Sequence, residues 1–106
     1  MKVAITSTGN TLTSTLDDRF GRCAYFAIYD IDTNQTEFIQ NPNKEVSTGA
    51  GPASVQIVAS QGVKKIISGE FGGKVKSILE KLQIQMILFS GPEKTIQEIV
   101  SLMVIK

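Results

Sequence analysis

The residues best equipped for chemistry lie in one short stretch of the chain, residues 17–26 (DDRFGRCAYF). It holds two carboxylates, two guanidinium groups, a glycine and the single cysteine of the chain. Arg22 offers a planar fork of N–H donors that suits an anion, and Cys23 is the one soft ligand available to a metal. The chain has no histidine, which excludes imidazole ligands and a histidine general base. Any chemistry must therefore use backbone amides, Arg and Lys, carboxylates, hydroxyls or this thiol.

Size and composition limit the class of protein. A chain of 106 residues fits a single domain spanning 1–106, and its 42% hydrophobic and 20% charged residues are typical of a core-forming protein. A net charge of +1 gives no bulk attraction to nucleic acid or to a membrane surface, so we expect neither partner. One cysteine cannot form an intrachain disulfide, and the sequence shows neither a signal-peptide core nor a membrane-length apolar run. We therefore expect a cytoplasmic protein.

Apolar patterning predicts the strands that must position these residues. Apolar, β-branched runs predict strands at Lys2–Ser7, 24–31, Gln35–Gln40, 65–68 and 85–89, the last of them buried. Residues 8–18 are polar and rich in Gly, Thr and Ser, which is typical of a loop. The turn-forming cluster at 32–34 makes the second and third strands a hairpin.

Helices are predicted in three places. Residues 52–61 are compatible with a helix, and Gly62 follows where a left-handed residue is favoured. Two later segments repeat apolar residues at the i, i+3, i+4, i+7 spacing of one helical face; they are Val75, Ile78, Leu79 and Leu82, then Ile96, Ile99, Val100 and Met103. Thr95 and Glu98 have the spacing of a capping box at the start of the last helix.

The order β-β-β-α-β-α-β-α predicts a single α/β fold. If the first, fourth and fifth strands are parallel and the second is antiparallel, the glycine-bearing loops gather at one edge of the sheet. Ligands of open α/β sheets bind beyond the carboxyl ends of the strands, and three helix N-termini would point there. Tight turns would explain one such loop, but five favour a binding site; the loops are Thr8-Gly9, 20–23, 49–51, 69–73 and Ser90-Gly91.

Several motifs together carry a family resemblance. They are KVAITS at 2–7, FGRCAYF at 20–26, NPN at 41–43, GAGPA at 49–53 and GEFGGKV at 69–75. In this order and spacing, over essentially the whole chain, they resemble the dinitrogenase iron–molybdenum cofactor biosynthesis proteins, the NifX and NifB C-terminal-like group. The resemblance implies a ribonuclease H-like three-layer fold with a five-stranded mixed sheet of order 3-2-1-4-5, strand 2 antiparallel. It also implies a non-enzymatic carrier of an iron–sulfur or iron–molybdenum-type cluster or its precursor, exchanged with metallocofactor donor or acceptor proteins.

The resemblance and the loop positions together define the expected ligand-binding residues. They are Phe20, Gly21, Arg22 and Cys23 in the first loop, Gly49, Ala50 and Gly51 in the second, and Gly69, Phe71, Gly72 and Lys74 in the third. Cys23 is the only expected metal ligand, and one thiolate falls short of the four cysteines that usually hold a cluster. We therefore expect an anionic cluster to dock on Arg22, Lys74 and helix N-terminal amides, with at most one bond from Cys23. Arg22 and nearby helix N-termini would favour the thiolate form of Cys23.

Purely structural roles are also open for these residues. Cys23 can be a small packing residue, Arg22 can pair with Asp17 or Asp18, and Glu70 can cap the helix that follows it. Phe20 and Phe71 can line the core or a pocket wall.

Two other functions suit the same loops, namely binding of a phosphometabolite or nucleotide and protein interaction. A ribonuclease H-like nuclease is disfavoured, because bound Mg²⁺ needs several carboxylates and the first strand has none. We therefore expect no enzymatic activity.

Overall fold

The computed structural model describes residues 1–45, 48–89 and 94–104. The elements are β1 Lys2–Ser7, β2 Tyr25–Asp30, β3 Gln35–Gln40, α1 Ala50–Ser60, β4 Val63–Ser68, α2 Gly73–Lys81, β5 Gln85–Leu88 and α3 Ile96–Val104. The predicted order of strands and helices is confirmed. None of the helices in the described ranges is both long and apolar enough to cross a membrane.

The five strands form one mixed sheet of order β3-β2-β1-β4-β5. β2 is antiparallel to both β1 and β3, whereas β4 is parallel to β1 and to β5. The predicted topology is therefore confirmed. Its consequence is that β1, β3, β4 and β5 all end at one edge of the sheet, at which β2 begins. We call this edge the carboxyl edge.

Strand residues alternate between two apolar layers, as the pleat of a sheet requires. On one face, Ala4, Phe26 and Ile66 pack with residues of α1 and α2, including Val55, Val58, Val75 and Leu79. On the other face, Val3, Ile5, Ala27, Tyr29 and Ile67 pack with Ile96, Ile99 and Val100 of α3. The fold thus has three layers, with two helices on one side of the sheet and one on the other.

Two predicted core positions are wrong. Leu82 was expected on the buried face of α2, but the helix ends at Lys81 and Leu82 is 48% exposed. Leu82 is the C-cap of α2, and Gln83 directly after it has a left-handed backbone (φ 58°) that ends the helix there. β5 was expected to be buried, but it is the last strand of the sheet, and its Leu88 is 64% exposed.

The last helix matches its predicted pattern. Ile96, Ile99 and Val100 are buried, and Met103 packs against them. The capping box is also confirmed: the Thr95 N–H donates to the Glu98 carboxylate at 2.8 Å, and the Glu98 N–H donates to Thr95 Oγ1 at 3.1 Å.

Candidate functional site

Three of the predicted glycine loops meet at the carboxyl edge. The chain between Asp18 and Gly21 lies between the β4–α2 loop and the start of α1. A Cβ built on Gly69 would lie 2.6 Å from Asp18 Cα, and one on Gly21 would lie 2.9 Å from the Gly51 nitrogen. Such distances are shorter than carbon and nitrogen atoms tolerate, so glycine is needed for this close approach.

The N-terminal ends of α1 and α2 are neighbours within this site. A Cβ on Gly51, in the first turn of α1, would lie 2.6 Å from Cγ2 of Val75, in the first turn of α2. The two helices therefore begin side by side at the carboxyl edge.

The N-terminus of α3 does not belong to this group. Its first amides donate to carbonyls of the β1–β2 loop, Ile96 to Ser14 at 2.8 Å and Gln97 to Leu12 at 2.9 Å. The β1–β2 loop thus covers the start of α3. Thr8 helps to hold this loop in place, because its N–H donates to the Thr15 carbonyl. The expectation that three helix N-termini point at a shared site is therefore wrong for α3, which leaves the starts of α1 and α2. The loop predicted at Ser90-Gly91 lies outside the described residues.

Neither of the two remaining helices begins with a side-chain cap or an acidic residue in its first turn. The N-cap of α1 is Gly49, with φ 74°, and the N-cap of α2 is Gly72. In α2 the first helical hydrogen bond runs from the Lys76 N–H to the Gly72 carbonyl, at 3.0 Å. Glu70 does not cap α2, which corrects that alternative.

Gly72 and Gly73 have room that the fold leaves unused. Apart from chain neighbours and the backbone of α2 itself, no atom of the described residues lies within 4 Å of a Cβ built on either of them, and neither has a positive φ. They contrast with Gly21, Gly51 and Gly69, which the packing requires. Lys74 follows them and is exposed. The start of α2 thus presents bare backbone and one cation to the outside.

Cys23 lies beneath the surface of the carboxyl edge and is not exposed on it. Its side chain is fully buried, and Sγ donates to the Phe20 carbonyl at 3.3 Å. Burial raises the pKa of the Cys23 thiol to about 12, and the negative charge of Asp17 adds to the effect. The expectation that the thiolate is favoured is therefore wrong, because desolvation outweighs any help from Arg22 and the helix ends.

Arg22 is half-buried at the carboxyl edge, and its guanidinium donates to the Lys44 carbonyl at 3.3 Å. The Asp17 carboxylate instead accepts the Arg19 N–H at 3.0 Å and lies 3.7 Å from Arg19 Nε. Arg22, Asp17 and Asp18 all lie in the described part of the chain, and no ion pair joins Arg22 to either aspartate. The alternative that Arg22 pairs with Asp17 or Asp18 is therefore wrong.

The aromatic residues of the site belong to the core. Phe20 and Phe71 are 2% and 7% exposed. Their ring centroids are 5.9 Å apart, and Phe20 lies 5.7 Å from Phe26. They support the loops from beneath, so a ligand at the surface would contact the backbone above them.

One residue of the site was not singled out from sequence. Asn41, directly after β3, is 4% exposed. Its Nδ2 donates to the Cys23 carbonyl at 2.9 Å and to the Gly21 carbonyl at 3.2 Å. Its place in the NPN motif, at the end of a strand, was the only sequence signal. Within the described ranges no three Asp, Glu or Cys side chains converge to hold a metal ion.

Comparison with known proteins identifies relatives along the whole chain. The family model described as "Dinitrogenase iron-molybdenum cofactor" matches residues 1–104. The uncharacterized protein MJ0580 of Methanocaldococcus jannaschii is 32% identical over 89 residues, which cover 81% of this chain and 72% of that protein.

Solved structures agree with this match. The apo form of the orange protein from Desulfovibrio gigas superposes with a TM-score of 0.87 at 28% identity, over 97% of this chain and 86% of that one. A candidate NifB protein of the DUF35 family from Thermotoga gives 0.82 at 32% identity, over 96% and 85%. The fold, the motifs and the family match agree: the chain belongs to the dinitrogenase iron–molybdenum cofactor family.

Proposed function

We propose that this protein is a non-enzymatic carrier that binds an anionic iron–sulfur or iron–molybdenum-type cluster, or its precursor, at the carboxyl edge. The cluster is cargo, received from one protein and passed to another. Membership of a family named for the iron–molybdenum cofactor supports this class of ligand. The open start of α2, with the adjoining start of α1 and Arg22, supports the position.

The observation that carries the proposal is the sequence Gly72-Gly73-Lys74 at an uncapped helix start. A helix N-terminus has partial positive charge and free N–H donors, which stabilise a bound anion. Gly72 is the N-cap, a position at which glycine is common. Gly73 lies inside the helix, where glycine costs roughly 0.5–1 kcal/mol relative to alanine, and no packed neighbour of the described chain requires it there. An anion that approaches the backbone closely explains Gly73.

The binding that we propose is electrostatic and not covalent. A fully buried thiol with a pKa of about 12 is protonated at neutral pH, so Cys23 is a poor metal ligand in this conformation. Exposed Asp18 and Glu70 lie in the same loops, so the site has no strong long-range attraction for anions. Affinity must come from short contacts with the α2 amides, Lys74 and Arg22.

Lys74 provides the test, and Lys76 is its matched control. Both are exposed lysines of α2, but Lys76 lies beyond the first free amides. We expect Lys74→Ala to weaken anaerobic binding of a thiolate-ligated iron–sulfur cubane by about tenfold or more, as for other hydrogen bonds to charged groups. Lys76→Ala should leave binding unchanged. Equal effects of the two substitutions would contradict the proposed position.

Gly73→Ala separates binding from folding. The fold leaves space for the added methyl group, so the free energy of unfolding should stay the same or rise by up to ~1 kcal/mol. Affinity for the cubane should fall, because the methyl group keeps the anion from the backbone. An unchanged affinity would argue against contact at Gly73. Displacement of the cubane by millimolar inorganic phosphate would instead favour the phosphometabolite alternative.

We infer that the protein is not a Mg²⁺-dependent hydrolase, and this inference can be tested separately. β1 carries no carboxylate from Val3 to Ser7, so the sheet centre has no ligand for Mg²⁺. We expect no Mg²⁺-dependent hydrolysis of an RNA–DNA hybrid or of a nucleotide. Turnover that disappears on Asp17→Asn or Asp18→Asn would overturn this inference.

A further inference from the structure

We propose that Asn41 is a positioning residue that fixes Arg22 at the ligand site by fastening the chain on both sides of it. The consequence for ligand affinity rests on the proposed function. The effect on the order of residues 21–23 stands independently of any ligand.

A single side-chain amide group makes the two fastening contacts. Nδ2 of Asn41 donates to the carbonyls of Gly21, at 3.2 Å, and Cys23, at 2.9 Å. These are the residues directly before and after Arg22, so one NH₂ group holds the backbone on both sides of the arginine. An amide has two N–H donors on one nitrogen, and both are used here.

The rest of Asn41 is fixed as well. Its Oδ1 accepts the Asn43 N–H at 3.0 Å and the Ser54 hydroxyl at 3.4 Å, and its own N–H donates to the Ala24 carbonyl at 2.9 Å. The residue therefore joins the end of β3, the start of β2 and the interior of α1. Because Asn41 is buried, these hydrogen bonds are strong and costly to leave unmade.

The same network adjoins one partner of Arg22. The Lys44 carbonyl that accepts from the Arg22 guanidinium lies just beyond Asn43, whose N–H is held by Asn41. Asn41 thus controls both the backbone that carries the guanidinium and the segment that receives it. Asn41 is 4% exposed, so a ligand on the outer surface would meet Arg22 and not the Asn41 side chain.

Asn41→Asp tests the network with almost no change in shape. Aspartate keeps an oxygen for Asn43, but it places a carboxylate against the Gly21 and Cys23 carbonyls and offers neither an N–H donor. The Ser54 hydroxyl, 3.5 Å from the Gly21 carbonyl, has one proton to share between that carbonyl and the new carboxylate. We expect residues 21–23 to open locally and expose the Cys23 thiol. The rate of its modification by an aromatic disulfide reagent should rise by about tenfold or more, the scale of one or two lost hydrogen bonds.

The controls distinguish a local effect from global unfolding. Asn10→Asp adds the same charge at an exposed site and should leave the modification rate unchanged. Asn41→Ser, a second variant without the two donors, should raise it as well. Amide exchange of Ile5, at the sheet centre, should remain slow in both Asn41 variants. The proposal would be overturned if Cys23 in the Asn41 variants reacted as slowly as it does in the protein without substitutions. It would also be overturned if Cys23 became reactive only together with fast amide exchange at Ile5.

A double-mutant cycle tests whether Asn41 acts through Arg22. Titration of the iron–sulfur cubane should show Asn41→Asp weakening binding about tenfold, but less than about twofold when Arg22 is already alanine. Equal losses in both backgrounds would contradict positioning of Arg22 and indicate a general structural role. If the unmodified protein does not bind the cubane, the proposed function fails, and the thiol modification rate alone decides whether Asn41 holds this loop.

Discussion

Leu79 and Leu82 lie on the same predicted helical face but in opposite environments. Leu79 is fully buried, whereas Leu82 is 48% exposed. We expect Leu79→Ala to lower the free energy of unfolding by ~2–5 kcal/mol, through lost apolar burial and the cavity left behind. Leu82→Ala should change it by less than about 0.5 kcal/mol. Urea denaturation measures both, and similar midpoints for the two variants would contradict the described end of α2.

The buried thiol makes stability depend on alkaline pH. Burial raises the pKa of Cys23 from 9.0 to about 12, so between these values the unfolded chain loses the proton and the folded protein keeps it. This contribution is complete below pH 9, and it is lost as the pH rises toward 12. The expected slope is about 1.4 kcal/mol per pH unit.

Cys23→Ala is the control for this pH dependence. The variant should lack the thiol contribution, so its unfolding free energy should fall less steeply between pH 8 and pH 11 than that of the unmodified protein. Guanidinium denaturation at several pH values gives both slopes. Equal slopes would show that the thiol ionises in the folded state as readily as in the unfolded one.

At the scale of residues, the sequence proposes candidate site residues but predicts their surroundings poorly. Arg22 and Cys23 are neighbours in the chain, which predicted a thiolate stabilised by a guanidinium. In the fold the thiol faces the core while the guanidinium reaches Lys44. The thiol's environment depends on Asn41, which directly follows β3 and reaches the thiol only after β2 and β3 have paired. No local pattern encodes that contact.

At the scale of elements, the order of strands and helices along the chain could be predicted because apolar periodicity is local and strong. The order of the strands within the sheet was implied by the family resemblance. Element ends were less predictable. α1 begins at Ala50, two residues before the predicted start, and β4 begins at Val63, directly after the left-handed Gly62. The cover over α3 was not predicted, because it joins segments from opposite ends of the chain and is made by backbone groups, which all residue types share.

The capping box gives a prediction at this scale. Thr95→Ala removes the hydroxyl that accepts the Glu98 N–H and should destabilise the protein by roughly 1 kcal/mol. Thr33→Ala, in an exposed turn, should have little effect. Thermal unfolding measures the difference. An equal loss at Thr33 would show that the effect does not come from the helix end.

The capping carboxylate also responds to acid. The pKa of Glu98 is lowered because its carboxylate accepts the Thr95 N–H. Its contribution is therefore present above the ordinary range of a glutamate and is lost as the pH falls through the lowered value. We expect the unfolding free energy of Glu98→Gln, measured by urea denaturation at several acidic pH values, to fall less steeply with falling pH than that of the protein without the substitution. Equal slopes would contradict a role of the Glu98 carboxylate in capping α3.

At the scale of the whole molecule, the two outermost strands of the sheet, β3 and β5, differ in character. β3 presents exposed Glu37, whereas β5 is uncharged and exposes 64% of Leu88. An apolar edge strand invites pairing with another chain, and a lysine discourages it. We expect Leu88→Lys to reduce light scattering on heating at high protein concentration, with an unchanged midpoint of unfolding. Undiminished scattering would show that another surface drives association.

The cover that the β1–β2 loop places over α3 bears on how the protein is completed during synthesis. The Leu16 N–H donates to the Lys94 carbonyl, and Ser14 and Leu12 receive the first amides of α3. The β1–β2 loop therefore waits for residues 94–97 before its carbonyls find these donors. β1, the central strand, likewise waits for β4. Contacts this distant in sequence close slowly, so we expect the loop to become ordered only after the rest of the sheet has formed.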